Sequence, residues 1–498
     1  MNWKIKSVPK KSGAKERHQE IISAVAKNRG IDKSQWGNFI NPPHPHKIGL
    51  KNSGVKIRQA EKAILLIRKY NNPDLPIVVF GDYDADGITS TAIIWETLTA
   101  LGIKSMPFIP NRAKHGYGLS MAGLKEVIKT YNPKLIITVD NGVTAISETK
   151  WAQKQGIKII IIDHHELTKK IHPADALVHT TQLAAAGLSW MFADYLIHKL
   201  GLQKTISPAL ELAAIGTVAD QVPLIGPNRS IAKYGIDALR ISKRPGILAL
   251  SGAAGLDQSS LSTYNIGYHL APRLNAKGRL EEAIDSLRLL CTNNVTRAEE
   301  LTKTLSMANS KRQDLTIQST EKAKGLVNDK DLPSAIILAD ESFHEGIIGL
   351  IAGKMVQQFW RPSIILNRQK EFSKGSGRSI PGFNLIEALR QAESLLEGVG
   401  GHPMAAGFTI KTENIPEFSK IFNKIAAKKL TSEILSRNLE IDARILFSDI
   451  THELLVALDE FNPMGIGNQT PVFASEKVQI RQFKKVGKEQ QHLKLSLE

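Results

Sequence analysis

The 498-residue chain has a single cysteine, Cys291, and therefore cannot form an internal disulfide. This predicts a reducing, cytoplasmic location and excludes a disulfide-stabilised scaffold. No uncharged apolar run reaches about 18 residues, so we expect no membrane-spanning helix. The basic start of the chain is not followed by an apolar core, which predicts that no signal peptide is present. Neither low-complexity tracts nor an obvious repeat of about 20–50 residues occurs.

Acidic residues are too few to balance the basic ones. The chain has 65 Lys and Arg against 48 Asp and Glu, which gives a formal net charge of +17. This excess indicates a polyanionic partner. Much of it lies in residues 1–72, with 16 Lys and Arg against 4 Asp and Glu. A solvated basic terminus and a nucleic-acid contact both explain this local excess.

Short apolar runs alternate with helical patterns from about residue 57 to residue 162. This rhythm predicts a doubly wound α/β domain with a parallel sheet. The chain also has a helical pattern from about Ser189 to Asp220, and long helical patterns from Glu281 to about Leu326. A second α/β unit is predicted from Ala335 to about Ala427, and short strand-like runs follow residue 438.

Three of the predicted strands are followed by acidic residues or histidines. They are Asp82, Asp84 and Asp86 after the first strand, Asp140 after the third, and Asp163, His164 and His165 after the fourth. Because the carboxyl ends of parallel strands share one edge, these side chains are expected to converge on one cleft. Closely spaced carboxylates repel one another unless a cation lies among them. Carboxylates together with imidazole suit Mn²⁺ or a similar divalent cation.

Simpler interpretations exist for each motif alone. The loop 81–87 could be solvated or could bind calcium as an EF-hand, but an EF-hand needs a Glu at its twelfth position, which is Ile93 here. The segment Asp140-Asn141-Gly142 could be a turn. Asp220, at the end of a helical apolar run, could be a cap residue.

Together these motifs resemble the DHH phosphoesterase family, and within it the RecJ single-strand-specific exonucleases. The matching segments are Asp82–Gly87, Asn111-Arg112, Gly116-Tyr117-Gly118, Val139–Gly142, Asp163-His164-His165, Gly216–Asp220, Ala271–Ala276, Gly278-Arg279-Leu280, His344–Gly349, Gly375–Ser379 and Gly400–Gly407. The resemblance covers about residues 50–498.

The resemblance implies a two-metal phosphodiesterase that uses Mn²⁺ or Mg²⁺, with metal-activated hydroxide as the nucleophile. Asp140 would bridge the metals, His165 would face the scissile phosphate, and the remaining ligands would be Asp84, Asp86, His164 and Asp220. Some DHH enzymes carry a histidine where this chain has Phe80. Asp82 is therefore a further candidate metal ligand.

The resemblance also implies residues that hold the substrate. Arg112, Ser376 and Arg378 would form a clamp for a terminal 5′-phosphate and make cleavage exonucleolytic; an ordinary flexible turn is the alternative for the segment 375–379. His402 would lie at the cleft, although a buried structural histidine is the alternative. Arg279 would contact the strand backbone, as would Arg273, although charge on a helix surface explains both almost as well.

The implied architecture is α/β: a DHH parallel-sheet domain and an α/β DHH-associated domain joined by a long helix, with a partial OB-like β segment. The expected boundaries are a basic N-terminal extension (1–55), the DHH domain (56–280), connecting helices (281–330), the DHH-associated domain (331–437) and the start of an OB-fold (438–498). We expect this last domain to be incomplete. Strands that pad the second domain are the alternative. The segment Ala176–Gly187 lacks the Asn-Pro-Asn-like turn expected there.

The sequence thus predicts a metal-dependent 5′→3′ exonuclease on single-stranded DNA in repair and recombination. It would be a monomer that works with a helicase and a single-strand-binding protein, with no membrane partner. Two alternatives remain at this point. One is a DHH phosphoesterase for short oligonucleotides, cyclic dinucleotides or pyrophosphate, and the other is a scaffold without catalytic activity.

Overall fold

The computed structural model describes residues 2–10, 13–116, 118–167, 171–487 and 489–498. Met1, Lys11 and Ser12 of the predicted basic extension, and Tyr117 of the Gly116-Tyr117-Gly118 motif, lie outside the described residues. The strands are β1 (Asn2–Ile5), β2 (Ile77–Phe80), β3 (Ser105–Phe108), β4 (Leu135–Val139), β5 (Lys158–Asp163), β6 (Ala176–His179), β7 (Ile336–Asp340), β8 (Ser363–Asn367), β9 (Phe372–Arg378), β10 (Leu396–His402), β11 (Ala405–Lys411), β12 (Asn438–Ile441), β13 (Ala443–Arg444), β14 (Phe473–Ala474), β15 (Ile480–Val486) and β16 (His492–Leu497).

The α-helices are α1 (Ala14–Asn28), α2 (Trp36–Ile40), α3 (Pro45–Asn52), α4 (Ile57–Lys69), α5 (Ala85–Ala100), α6 (Arg112–His115), α7 (Met121–Tyr131), α8 (Ile146–Lys154), α9 (Ala185–Lys199), α10 (Leu210–Ala219), α11 (Gly226–Arg240), α12 (Pro245–Ala253), α13 (Thr263–Asn265), α14 (Ala271–Leu280), α15 (Ile284–Cys291), α16 (Val295–Gly325), α17 (Ile348–Phe359), α18 (Leu385–Arg390), α19 (Ile415–Lys429) and α20 (His452–Asp459). A π-helical segment, Ile266–Leu270, joins α13 to α14. The chain divides into two compact units. One consists of residues 44–222 and 227–437, and the other of the residues up to Pro43, 223–226 and 438–498.

The larger unit contains a five-stranded parallel sheet in the order β3-β2-β4-β5-β6. Successive residues of its strands point to opposite faces, so that Val79 packs in one apolar cluster and Val78 in another. Both faces are thus covered, as the continuous apolar runs of the sequence predict. The order of the strands reverses between β2 and β4, the position at which open α/β sheets bind ligands.

A second, mixed sheet of the larger unit has the order β10-β11-β9-β8-β7. Its β7 and β8 are parallel, whereas β8, β9, β11 and β10 pair antiparallel. The 31-residue helix α16 precedes this sheet along the chain. The α/β class, the parallel first sheet and the long joining helix are therefore confirmed.

The helical pattern from Ser189 to Asp220 forms two helices, α9 and α10, rather than one. Between them, Gly201 adopts a left-handed backbone with φ of 71°. Glycine adopts this conformation more readily than any other residue, and Pro208 follows shortly before α10 begins. The break allows α10 to return and end at Asp220.

The smaller unit joins the start of the chain to its last 61 residues, 438–498. Strand β1 pairs in parallel with β12, and β15 forms an antiparallel hairpin with β16. Arg17 donates hydrogen bonds to Asp449, and Arg29 lies 3.2 Å from Asp442. Part of the basic excess of the N-terminal residues is therefore neutralised within this unit.

Among the described residues, no helix combines the length and apolar character that crossing a bilayer requires.

Candidate metal centre and phosphate cleft

The loop after β2 holds its carboxylates in place by capping α5. Asp84 is the N-cap residue, and its side chain accepts hydrogen bonds from the backbone N–H groups of Asp86 and Gly87 at 3.0 and 3.1 Å. A distant residue fixes the same turn, because Asn275 Oδ1 accepts from the N–H of Ala85 at 2.6 Å. The alternating carboxylates thus lie at the N-terminus of a helix, where negative charge is favourable.

Asp86 is held by the N-terminus of α9. Its two carboxylate oxygens accept hydrogen bonds from the N–H groups of Ala185 and Ala186 at 2.9 and 2.8 Å. Gly216 is needed beside it, because a Cβ there would lie only 2.6 Å from Asp86 Oδ1. The segment 176–187, which lacks the expected Asn-Pro-Asn-like turn, thus supplies the two backbone donors that orient Asp86.

Asp140 follows β4 in a left-handed conformation, with φ of 61°. Aspartate and asparagine adopt this region more readily than other non-glycine residues. The N–H of Asp140 donates to Ile162 O on the neighbouring strand at 3.0 Å. This turn directs a carboxylate that is only 3% exposed into the cleft between β2 and β4.

His164 lies among three of the predicted carboxylate ligands. Its Nε2 atom is 3.3 Å from Asp140 Oδ1, 3.7 Å from Asp220 Oδ2 and 3.9 Å from Asp86 Oδ2. Three overlapping sets of potential ligands have atoms within 4.8 Å of one another. They are Asp82, Asp84 and Asp140; Asp86, His164 and Asp220; and Asp140, Asp163, His164 and His165. The structure therefore brings all six residues predicted as metal ligands into one cluster.

The cluster is electrostatically costly without a cation. Burial, followed by the charge of Asp84, raises the pKa of Asp82 to about 8 and that of Asp86 to about 7. Burial and neighbouring carboxylates likewise raise the pKa of Asp220 to about 8 and hold that of Asp140 well above its usual range. Carboxylates that cannot all ionise at neutral pH would do so around bound divalent cations.

Two buried polar atoms in the cluster also indicate that the site suits a bound cation. Asp82 Oδ1 and His164 Nε2 are shielded from solvent and form no hydrogen bond with any described residue. Burial and the positive charge of His165 lower the pKa of His164 to about 4, so that it is neutral and can offer a lone pair. Oxygen-rich ligands with one imidazole suit Mn²⁺ or Mg²⁺, and the donor set therefore fits such ions.

His165 is held by Asp163 rather than facing freely into the cluster. Its Nδ1 lies 2.7 Å from Asp163 Oδ1, and the other oxygen of Asp163 accepts from the N–H of Val143 at 3.0 Å. Burial alone would lower the pKa of His165, but this hydrogen bond and the charges of Asp163, Asp220 and Asp86 raise it to about 9. His165 is thus protonated at neutral pH and can donate to an anion.

Three arginines of the larger unit, Arg112 on α6, Arg279 on α14 and Arg378 on β9, lie next to the carboxylate cluster. The guanidinium of Arg112 is 5.8 Å from the centre of the Tyr83 ring and 3.7 Å from Glu345 Oε1. Arg279 donates a long hydrogen bond of 3.4 Å to Gly346 O. We call the group formed by Arg112, Arg279 and Arg378 the arginine cleft.

The second sheet contributes the serine and arginine predicted to hold a terminal phosphate. On β9, Arg378 Nη1 donates to Gly377 O at 2.9 Å and lies 3.4 Å from Ser376 Oγ. A Cβ at Gly349, in the first turn of α17, would lie 3.0 Å from both Arg378 Nη2 and Ser376 Oγ. Glycine thus leaves these two side chains space beside a helix N-terminus, which favours anions.

His402 is exposed at the end of β10. It pairs with Ala405, which pairs in turn with Arg378 on β9, so His402 and Arg378 lie on the same face two strands apart. This separation is roughly 10 Å at the backbone. The structure therefore does not bury His402, contrary to the structural alternative, but it also does not join His402 to the metal cluster. Arg273 donates to His269 O at 2.8 Å within its own helical segment.

Several residues of the site escaped the sequence interpretation. The sequence places Asn275 only within a matching motif and does not by itself give Asp163 a role in holding His165. An acidic residue directly before a histidine pair is a signal that could have indicated the second of these. The positive charge of Arg312, on α16, acts on Arg279 and lowers its pKa, and the sequence gives no signal for it.

Comparison with known proteins shows which family has this arrangement of domains. Sequence models match the N-terminal domain of the DHH family at residues 76–217, the DHHA1 domain at 332–428 and the RecJ OB domain at 441–498. The chain is 31% identical over 467 residues to the single-stranded-DNA-specific exonuclease RecJ of Haemophilus influenzae, covering 88% of this chain and 81% of that protein. The chain belongs to the RecJ family.

Other relatives extend this result. The RecJ protein of Bacillus subtilis is 37% identical over 521 residues, which cover all of this chain, and the chain spans 64% of that relative's length. The crystal structure of Thermus thermophilus RecJ in complex with Mn²⁺ matches with a TM-score of 0.83 and 28% identity, covering 100% of this chain and 72% of the other. The family resemblance seen in the motifs is therefore confirmed over nearly the whole chain.

Proposed function

We propose that this RecJ family member is a metal-dependent exonuclease that degrades single-stranded DNA from its 5′ end. The observation that carries this proposal is the convergence of Asp82, Asp84, Asp86, Asp140, His164 and Asp220 in one cluster beside the arginine cleft. The relatives that are named single-stranded-DNA-specific exonucleases support the substrate class.

The six acidic and imidazole side chains would hold two divalent cations, Mn²⁺ or Mg²⁺. The complexes of the Thermus thermophilus relative with both ions support this choice. When bound, such a pair of ions activates water at neutral pH and stabilises the charge of the attacked phosphate. Asp140 would contribute to holding both ions, because it belongs both to the set with Asp82 and Asp84 and to the set with His164.

The remaining residues of the site would act on the substrate directly. Protonated His165 would donate to an oxygen of the scissile phosphate, and Asp163 would keep its ring in the required orientation. Arg112, Ser376 and Arg378 would bind a terminal 5′-phosphate, because a guanidinium offers two parallel donors to phosphate oxygens. Since the strand end would be fixed there, cleavage would proceed from that end.

The decisive experiment is a cleavage assay on single strands labelled at either end, made of DNA or RNA, with Mn²⁺. We expect short products from the 5′ end of DNA. Turnover of dinucleotides alone, with long strands intact, would refute the exonuclease and favour a small-substrate phosphoesterase. No cleavage of either would favour a scaffold.

The Asp140→Asn variant tests whether the cleavage activity arises at this site. Asparagine tolerates the left-handed backbone of this position, so the fold should persist while the bridging charge is lost. We expect cleavage to fall by roughly two orders of magnitude or more. Asp237→Asn, which changes an exposed acid outside the site, is the control.

We further propose that the protein works as a monomer in the cytoplasm with a helicase and a single-strand-binding protein. The single cysteine supports a reducing compartment. Co-purification of the tagged protein with a helicase or with single-strand-binding protein from nuclease-treated extract tests the partners, and its absence would count against them. Light scattering of the purified protein tests the monomer.

A further inference from the structure

The helix α16 carries an arginine where it passes from one apolar core to the other. Leu301 and Leu305 pack in the core of the first sheet, whereas Leu315 and Ala323 pack with the core of the second. These residues recur at helical spacing and form one inward-facing stripe. Arg312 lies on that stripe, between Leu305 and Leu315. Its side chain therefore points towards the junction of the two cores rather than away from the protein.

Arg312 has an unsatisfied donor at this junction. The residue is half-buried, and its Nε atom is shielded from solvent and donates no hydrogen bond to any described residue. A buried donor without an acceptor costs about 1–3 kcal/mol. The position is therefore suited to an acceptor that is not part of the described chain.

The charges near Arg312 belong to the arginine cleft. The pKa of Arg279 is lowered to about 10, first by burial and then by the positive charges of Arg112, Arg312 and Arg378, with Asp84 acting in the opposite direction. These guanidinium groups come from α6, α14, α16 and β9. Four cations that repel one another in a partly buried space attract an anion strongly.

We propose that Arg312 is a fourth guanidinium of the arginine cleft and binds a phosphate of the substrate strand together with Arg279. The proposal rests on the proposed function, because a single strand of nucleic acid supplies the phosphate. Two phosphates have the required chemistry, namely the 5′-terminal phosphate and the first internal phosphodiesters. The experiment below distinguishes them.

The test uses the Arg312→Met variant of the full chain, which keeps the apolar stem and removes the charge. Binding of 5′-phosphorylated and 5′-hydroxyl single strands is measured by fluorescence anisotropy in EDTA, so that no cleavage occurs. We expect the Kd to rise about tenfold, as for one lost charged hydrogen bond. The slope of log K against log salt should shrink by about 0.7. A loss confined to the phosphorylated strand assigns Arg312 to the terminal phosphate, and an equal loss on both strands assigns it to an internal one.

Two variants of the same helix serve as controls. Lys303→Met removes an exposed charge of α16 and should leave the Kd within about twofold, since a single exposed charge contributes little. Arg312→Lys keeps the charge without the planar fork and should recover part of the affinity. A Kd and a salt slope for Arg312→Met that equal those of the wild type would overturn the proposal.

Thermal stability separates a binding role from a structural one. Because Arg312 faces other cations, the melting temperature of substrate-free Arg312→Met in low salt should be unchanged or higher. A clearly lower melting temperature would make Arg312 a structural residue and overturn the proposal. If the wild type binds the strand but does not cleave it, the proposed exonuclease fails, whereas the binding comparison still decides the role of Arg312.

Discussion

Asp163 accepts a hydrogen bond of 2.7 Å from Nδ1 of His165, two residues further along the chain. The same carboxylate also accepts from the backbone N–H of His164 at 2.7 Å. Burial would raise the pKa of Asp163, but the hydrogen bond and charge of His165 and the hydrogen bond from the Val143 N–H outweigh it, and the pKa is lowered. One buried acid thus fixes the backbone and the ring of the histidine pair.

Replacing Asp163 with Asn should therefore disturb the site through its histidines. We expect the Mn²⁺ concentration for half-maximal cleavage to rise about tenfold, as when a residue that orients a metal ligand is lost. Asp175→Asn is a matched control, since Asp175 is also hydrogen-bonded, to Ile159 N–H, beside the opposite end of β5. That control should lose stability without a change in the Mn²⁺ requirement. An equal change in the Mn²⁺ requirement of both variants would mean that Asp163 has only a structural role.

The stability of the metal-free protein should depend on pH in a defined direction. The pKa values of Asp82 and Asp220, about 8, and of Asp86, about 7, lie above those of an unfolded chain. The folded state then binds more protons than the unfolded state, so stability falls as the pH rises to about 8. His165, with a pKa of about 9, acts in the same direction above about pH 6.5.

Mn²⁺ should oppose this loss of stability, because the cations replace the protons among the carboxylates. Melting temperatures measured in EDTA should fall from about pH 6.5 to about pH 8, and saturating Mn²⁺ should raise them most at the upper end. The Asp140→Asn variant should melt higher than the wild type in EDTA at pH 8. A pH-independent melting temperature in EDTA would contradict the electrostatic account.

The double variant Ser376→Ala, Arg378→Ala should chiefly weaken recognition of the strand end. Both side chains lie beside the N-terminus of α17, and the lost hydrogen bonds would be made to a charged phosphate. We expect kcat/KM to fall roughly tenfold or more on 5′-phosphorylated strands, and much less on 5′-hydroxyl strands. The control is Arg390→Ala, an exposed arginine of α18. Equal losses on both kinds of strand would argue against an end clamp.

Arg17→Met should destabilise the unit formed by the first and last segments of the chain. Arg17 donates to both oxygens of Asp449 at 2.8 and 2.6 Å, and the Asp449 side chain is 3% exposed. Loss of the partner would leave a buried carboxylate and cost about 3 kcal/mol, seen as faster amide exchange in residues 438–474. Lys6→Met, which breaks an exposed pair with Glu440, should cost less than about 1 kcal/mol.

The same pair predicts how acid acts on that unit. The hydrogen bond from Arg17 is the largest cause of the lowered pKa of Asp449. A lowered pKa stabilises the fold above the unfolded value, near pH 4, and the contribution is lost as the pH falls below it. The acid-induced rise in amide exchange should therefore be smaller in Arg17→Met than in the wild type. Equal pH dependence in the two proteins would mean that the pair does not set it.

The sequence predicted the metal cluster because its parts share one simple geometric rule. Asp82, Asp140 and His164 each follow a strand, and the ends of parallel strands meet at one edge. The residue types at those ends then limit the chemistry to divalent cations. The resemblance of the motifs added the arginine cleft, since the spacing of Arg112 and Arg378 along the chain carries no local signal.

Other parts of the site needed the tertiary structure. One of these is the left-handed backbone of Asp140. The others are hydrogen bonds between distant segments: the N-terminus of α9 donates to Asp86, and Ala85 donates to Asn275. For the basic N-terminal residues the sequence allows both a solvated terminus and a nucleic-acid contact, and the structure shows that one of them, Arg17, pairs with Asp449.

The excess of basic residues, read from the sequence alone, indicated a protein suited to a polyanion, and the alternation of apolar runs with helical patterns indicated its α/β class. The order of its motifs determined the family. Only the tertiary structure decided which cations are neutralised within the chain, as the pair of Arg17 and Asp449 illustrates. The physical reason is that periodicity and strand ends are local properties of the chain. The partner of a charge depends instead on distances between segments hundreds of residues apart, which only packing fixes.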